Sequence, residues 1–181
     1  MPEISQIRLS GLGGQGVILI GNLLGQAGMV EGKYASSSSA YGPQARGGWC
    51  KAEVVLSVAP IDFPHVIMAD ILVALSQNAY TMYHGEVKES GLIFYEKGLV
   101  TPKEDLKVRQ IGIPARDYAV KELNNDQAAN IVLLGALVEI TGVVSIEAAR
   151  EAIRANVSER FLEVNLNAFQ AGMTLGRQIN G

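Results

Sequence analysis

Along residues 6–10 apolar and polar positions alternate, with Ile7 and Leu9 as the apolar members, which predicts a short first strand halted by a cluster of glycines. From residue 15 to about 30 the spacing becomes helical: Val17, Ile20, Leu24, Ala27 and Gly28 share a face, and Gly32 is placed to end the helix. Residues 34–39 predict a second strand whose serine tract suits a sheet centre poorly. Residues 49–58 predict a strand with Val54, Val55, Leu56 and Val58 mostly buried, ending at Pro60. The run ILVAL at 71–75 predicts the clearest central strand, and 91–95 and 108–113 predict two more, each bounded by Gly or Pro.

Beyond Pro114 the pattern is helical: 115–123, then 127–140 closed by Gly142, then 145–155, then 158 to the end. Asp126, Ser145 and Ser158 are each suited to cap a helix, because a short side-chain oxygen accepts an otherwise open amide proton. Strands alternating with helices, followed by helices alone, predict an α/β fold. It is a three-layer α/β/α sandwich with a mostly parallel or mixed central sheet, a Rossmann-like first strand-turn-helix and a helical C-terminal third. With no internal repeat and no linker, residues 1–181 are expected to form one domain.

Composition narrows the function. Hydrophobic residues make up 48% and charged residues 18%, and the net charge of -3 comes without a basic run that could follow a phosphate backbone, so nucleic acid is not an expected partner. The lone cysteine, Cys50, excludes an internal disulfide and a self-contained iron–sulfur cluster, and is read as a small buried hydrophobe. No leader peptide and no bilayer-length apolar run are visible, so a cytoplasmic location with no membrane association is expected. His65 and His84 lack any metal-ligand spacing, and Met29, Met68, Met82 and Met173 read as core or interface filler.

Two segments carry candidate chemistry. Gly11, Leu12, Gly13, Gly14, Gln15 and Gly16 satisfy G-x-G-x-x-G between a strand and a helix, where backbone amides and the helix dipole hold phosphates. A dinucleotide site also needs an acidic residue after the second strand, and Glu31, the nearest carboxylate, lies before it. The same glycines equally serve close packing of helix on sheet. The second segment runs from Ser38 and Ser39 through Tyr41, Gly42 and Pro43 to Arg46, Gly47 and Gly48. Its guanidinium and flexible backbone suit a carboxylate or phosphate, or a surface ion pair.

Taken together, Gly11–Gly16 and the Tyr-Gly-Pro-Gln-Ala-Arg-Gly-Gly run from Tyr41 to Gly48 resemble the gamma subunit of 2-oxoacid:ferredoxin oxidoreductases. So do the segments 52–57, 61–64 and 70–78, and the asparagine-bearing helices around Asn130 and Asn165. The Tyr-Gly-Pro form is more similar to the 2-oxoglutarate or branched-chain members than to the pyruvate members, with Gln44 where glutamate is expected. The resemblance implies one part of a larger enzyme that converts a 2-oxoacid and CoA to an acyl-CoA and passes electrons to ferredoxin. Thiamine diphosphate, Mg and iron–sulfur clusters are then expected on alpha, beta and possibly delta partners. Two alternatives stay open beside this reading, a stand-alone nucleotide-binding oxidoreductase using the G-x-G-x-x-G turn and a purely structural assembly subunit, and a homodimer is one possible state of the isolated chain. Ligand or interface candidates are Gly11, Gly13, Gly14, Gln15, Gly16, Ser38, Ser39, Tyr41, Gly42, Arg46, Gly47 and Asn130.

Overall fold

The computed structural model describes residues 3–43 and 47–180. Six strands form one sheet in the order β2-β3-β1-β4-β5-β6: β1 (Ile4–Leu12), β2 (Tyr34–Tyr41), β3 (Trp49–Ser57), β4 (Ala69–Ala74), β5 (Val87–Glu96) and β6 (Arg109–Ile113). The pairs β1–β4, β4–β5 and β5–β6 are parallel, whereas β3 runs antiparallel to both of its neighbours, β1 and β2. Because β3 opposes both, β1 and β2 point the same way. The opening β1–helix–β2 unit is therefore a parallel crossover into whose gap β3 returns as a hairpin strand.

The two faces of the sheet are covered unequally. One face, bearing Ile7, Leu9, Val54, Ile71, Val73 and Phe94, carries the main core against helices α1 (Val17–Val30), α3 (Ala115–Leu123), α4 (Ala129–Thr141), α5 (Ile146–Asn156) and α6 (Glu159–Asn180). Helix α4 is buried continuously from Ile131 to Val138, which matches its apolar composition all round. It packs on α6 where Gly135 and Gly172 let the two backbones meet: a Cβ on Gly135 would lie 2.2 Å from the Phe169 carbonyl oxygen. The opposite face has a thin layer, the short helix α2 (Gln77–Tyr83) with Val100 and Val108, packed on Leu72, Ala74 and Ile93.

Every predicted strand is present. The serine tract lies on an edge, β2, where polar side chains keep contact with water. Strand β1 extends past the expected stop to Leu12, because antiparallel pairing of Gly11 with Cys50 and of Leu12 with Trp49 continues the ladder into the glycines. Expectations for β3 and for α4 need correction. Strand β3 stops at Ser57, and Val58, expected to be mostly buried, lies past its end and is exposed. Helix α4 starts at Ala129 rather than at 127, and Asp126 is not its cap: the Asn125 carboxamide oxygen accepts the Gln127 amide at 3.1 Å and opens a single 3-10 turn instead. Helix α2 escapes the sequence pattern, since seven residues without apolar periodicity form it on the strength of the Ser76 cap and the burial of Ala79, Tyr80 and Tyr83. Ser145 caps α5 as expected, its hydroxyl accepting from Ala148, and Gly32 and Gly142 adopt the left-handed conformation that ends α1 and α4.

Candidate functional site

The carboxyl ends of the parallel strands converge on the glycine turn. The crossover through α1 lies on the main face, and the β4–α2–β5 crossover lies on the opposite face, so the crossovers diverge between β1 and β4. A crevice at such a divergence is where open α/β sheets take ligands. Here it is crossed by Gln15, whose carboxamide oxygen accepts the Leu12 amide at 2.7 Å and whose nitrogen donates to the Leu75 carbonyl at 2.8 Å. Gly11 is needed beneath it, since a Cβ there would lie 2.5 Å from the Gln15 oxygen.

Helix α1 starts from Gly16 in the left-handed conformation, with no side-chain cap and no acidic residue in its first turn. Asn130 of α4 packs directly on Gly16: a Cβ on Gly16 would lie 2.0 Å from the Asn130 amide nitrogen. The Asn130 oxygen accepts the Ile131 amide at 2.9 Å, occupying one open donor in the first turn of α4. The second candidate segment joins the turn at one point, where the Gly13 amide donates to the Gly48 carbonyl at 2.8 Å.

Beside the turn opens a cleft of about 220 Å³, lined by Gly14, Gln15, Leu75, Glu96, Leu99, Arg116, Gln127 and Asn130 among others. Glu96, at the end of β5, is 5% exposed. Its two carboxylate oxygens accept the amides of Arg116 at 3.2 Å and Gly98 at 3.4 Å, so it caps α3 across the chain, where Pro114 supplies no side-chain cap. Burial raises its pKa above the usual carboxylate range, with Asp117 adding to the effect and the backbone donors opposing it. The sequence holds one sign of this residue, a glutamate closing the run from Leu92 to Tyr95 in the second half of β5.

The structure thus gathers Gly11, Gly13, Gly14, Gln15, Gly16, Gly47 and Asn130 in one place. Ser38 and Ser39 do not join them: Ser38 pairs with Glu53, Ser39 with Ala52, and both sit back along the edge strand. Tyr41 pairs with Cys50, which in turn pairs with Gly11, so Tyr41 lies two strand spacings, about 10 Å, from the turn. It is 67% exposed. Gly42 fastens the hairpin by donating to the Trp49 carbonyl at 2.7 Å. Arg46 and its neighbours 44 and 45 lie outside the described residues. Cys50 is buried and its thiol pKa is pushed up by burial, as a small core residue and not a reactive thiolate. Asn165 donates to the Phe161 carbonyl one turn back on its own helix, away from the glycines.

A family model of pyruvate ferredoxin/flavodoxin oxidoreductase matches residues 6–175. The chain belongs to this family. It is 44% identical over 177 residues to the 2-oxoglutarate synthase subunit KorC of Methanocaldococcus jannaschii, an alignment covering 96% of this chain and 95% of KorC. It is 36% identical over 183 residues to the ketoisovalerate oxidoreductase subunit VorA of Methanothermobacter marburgensis, covering 98% of this chain but 38% of the longer VorA. The crystal structure of the gamma subunit of a keto/oxoacid ferredoxin oxidoreductase from Geobacter sulfurreducens PCA matches with a TM-score of 0.85 at 38% identity, covering 96% of this chain and 99% of that one. Within the pyruvate ferredoxin/flavodoxin oxidoreductase family the chain is therefore of the gamma type, a subunit of a 2-oxoacid oxidoreductase, and its likeness to the 2-oxoglutarate and branched-chain members is borne out. A stand-alone nucleotide-binding oxidoreductase is not favoured. Among the described residues, no helix is long and apolar enough to cross a membrane.

Proposed function

We propose that this chain is the gamma subunit of a 2-oxoglutarate:ferredoxin oxidoreductase, which decarboxylates the oxoacid, transfers the acyl group to CoA and passes two electrons to ferredoxin. The observation that carries the reading is the 44% identity to KorC across almost the full length of both chains. Thiamine diphosphate, Mg and the iron–sulfur clusters sit on alpha, beta and delta partners, since one cysteine cannot ligate a cluster. The complex works in the cytoplasm, and this chain contributes residues 1–181 as a single domain.

The part of this chain that faces the reaction is the glycine turn with Gly47 and Asn130; Arg46 is proposed as a ligand residue on its guanidinium chemistry alone. The uncapped start of α1 supports an anion contact, because its open amides and dipole favour negative charge. Glu96, Asp126 and Arg116 line the adjoining cleft, and a carboxylate or a CoA phosphate is held at the amides of the turn. Assay of the assembled complex over a panel of 2-oxoacids tests the substrate assignment: 2-oxoglutarate gives the highest kcat/KM, and a preference for pyruvate contradicts it. Arg46→Ala in the same complex raises KM for CoA or the oxoacid, whereas unchanged kinetics remove the ligand role.

A further inference from the structure

We propose that Gln15 is a positioning residue that closes the crevice between β1 and β4 and holds the glycine turn in the one conformation it presents to its ligand or partner. The functional half of this inference rests on the gamma-subunit reading. The structural half rests on geometry alone.

Both ends of the Gln15 carboxamide are committed, and to different parts of the sheet. Its oxygen holds the Leu12 amide at 2.7 Å on the near side of the crevice, and its nitrogen holds the Leu75 carbonyl at 2.8 Å on the far side. The backbone supplies two further ties at the same place: the Gln15 amide donates to the Leu12 carbonyl at 3.1 Å, and the Leu75 amide donates to the Ser10 carbonyl at 2.9 Å. The turn in turn carries Gly48 through the Gly13 amide. One N–H and one lone pair of the carboxamide are committed to the backbone in this way, which fixes the side chain as a strut across the crevice and leaves its second N–H free to face a ligand or partner. β3, inserted between β1 and β2, sets the end of β2 one strand further from the turn than in a Rossmann fold, away from where a ribose would lie.

Replacement by glutamate isolates the far contact. Gln15→Glu keeps the acceptor for Leu12 but turns a carboxylate oxygen toward the Leu75 carbonyl, an acceptor facing an acceptor, until protonation restores the donor. Gln15→Met fills the volume and makes neither hydrogen bond. In the isolated chain, hydrogen exchange is expected to accelerate about tenfold or more in the peptide spanning 12–17 for Gln15→Met, and for Gln15→Glu at pH 8, with exchange in α4 unchanged. In the assembled enzyme, KM for CoA or the oxoacid rises severalfold for both variants while kcat stays within about twofold. Unchanged exchange at 12–17 overturns the strut. Faster exchange with unchanged kinetics overturns the positioning role. A wild-type complex inactive toward every 2-oxoacid sinks the gamma-subunit reading instead, and the exchange experiment still decides the strut.

Discussion

The Asn130 carboxamide lies against Gly16, so close that a methyl group on that glycine would fall 2.0 Å from the Asn130 nitrogen. Residues 114 positions apart in the chain are thus packed where α1 begins and α4 begins, and the glycine is fixed twice, by this contact and by a φ of 74°. Gly16→Ala is expected to cost roughly 2 kcal/mol from the left-handed conformation alone, which lowers Tm by about 4–8 °C in a domain of this size. Adding Asn130→Ala removes the overlap with the carboxamide but leaves the Cβ of residue 130 at 2.9 Å and the backbone strain, so the double variant recovers only part of the loss. Calorimetry of the four forms checks this. Full recovery would mean that the contact, and not the backbone angle, fixes the glycine.

On the opposite face, Arg8 is buried within a strand and its guanidinium is spent on three groups. It bonds Glu53 at 2.8 Å, the Val66 carbonyl at 2.6 Å and the Glu86 carboxylate. Arg8→Met strands Glu53, itself buried, with Lys51 at 3.0 Å as its remaining cation among the described residues. Removing one partner of a buried pair costs about 3–5 kcal/mol, and the remaining lysine places the loss at about 3. Arg8→Met with Glu53→Met recovers most of it. Urea denaturation measures both, and a coupling below about 0.5 kcal/mol contradicts the assignment.

Glu96 makes stability fall with rising pH. Its folded-state pKa is raised, by burial first, so the folded chain binds more proton than the unfolded chain between the ordinary glutamate pKa and the raised one. Its contribution is complete below about pH 4 and is lost as the pH climbs through the folded value. The neutral Glu96→Gln variant lacks this slope, so its stability relative to wild type improves from pH 4 to pH 7. Urea midpoints across that range test the sign, and parallel profiles would show that Glu96 is not the group responsible.

The turn lacks the acidic residue after β2 that a dinucleotide site needs, and β3 separates β2 from β1. NAD, NADP and FAD at millimolar concentration are accordingly expected to leave the Tm of the isolated chain within about 1 °C. Binding with a Kd a hundredfold below the added concentration would stabilise the fold by about 2.7 kcal/mol and appear at once.

Periodicity made the strands legible because alternation in β1 and the apolar run of β4 report directly on burial. It missed α2, which depends on Ser76 and on a sheet face that no local pattern describes. The same limit applies to the site. Gly13, Gly14 and Gly16 were readable as a strand-to-helix turn, yet the insertion of β3 between β1 and β2, which separates Tyr41 from that turn, is a topological fact with no local signature. The spacing of the motif marks Gln15 as a site residue, but its bond to Leu75, 60 positions away, has no local sign. Glu96 went unnoticed because a charged residue at a strand end ordinarily faces water, and here the start of α3 folds over it.

The most direct test is anaerobic affinity purification of the tagged chain from its native host, followed by viologen reduction dependent on 2-oxoglutarate, CoA and thiamine diphosphate. The account predicts co-purified subunits bearing iron and thiamine diphosphate, and turnover that requires both 2-oxoglutarate and CoA. A chain recovered alone, without iron-bearing partners and inactive toward every 2-oxoacid, would contradict it.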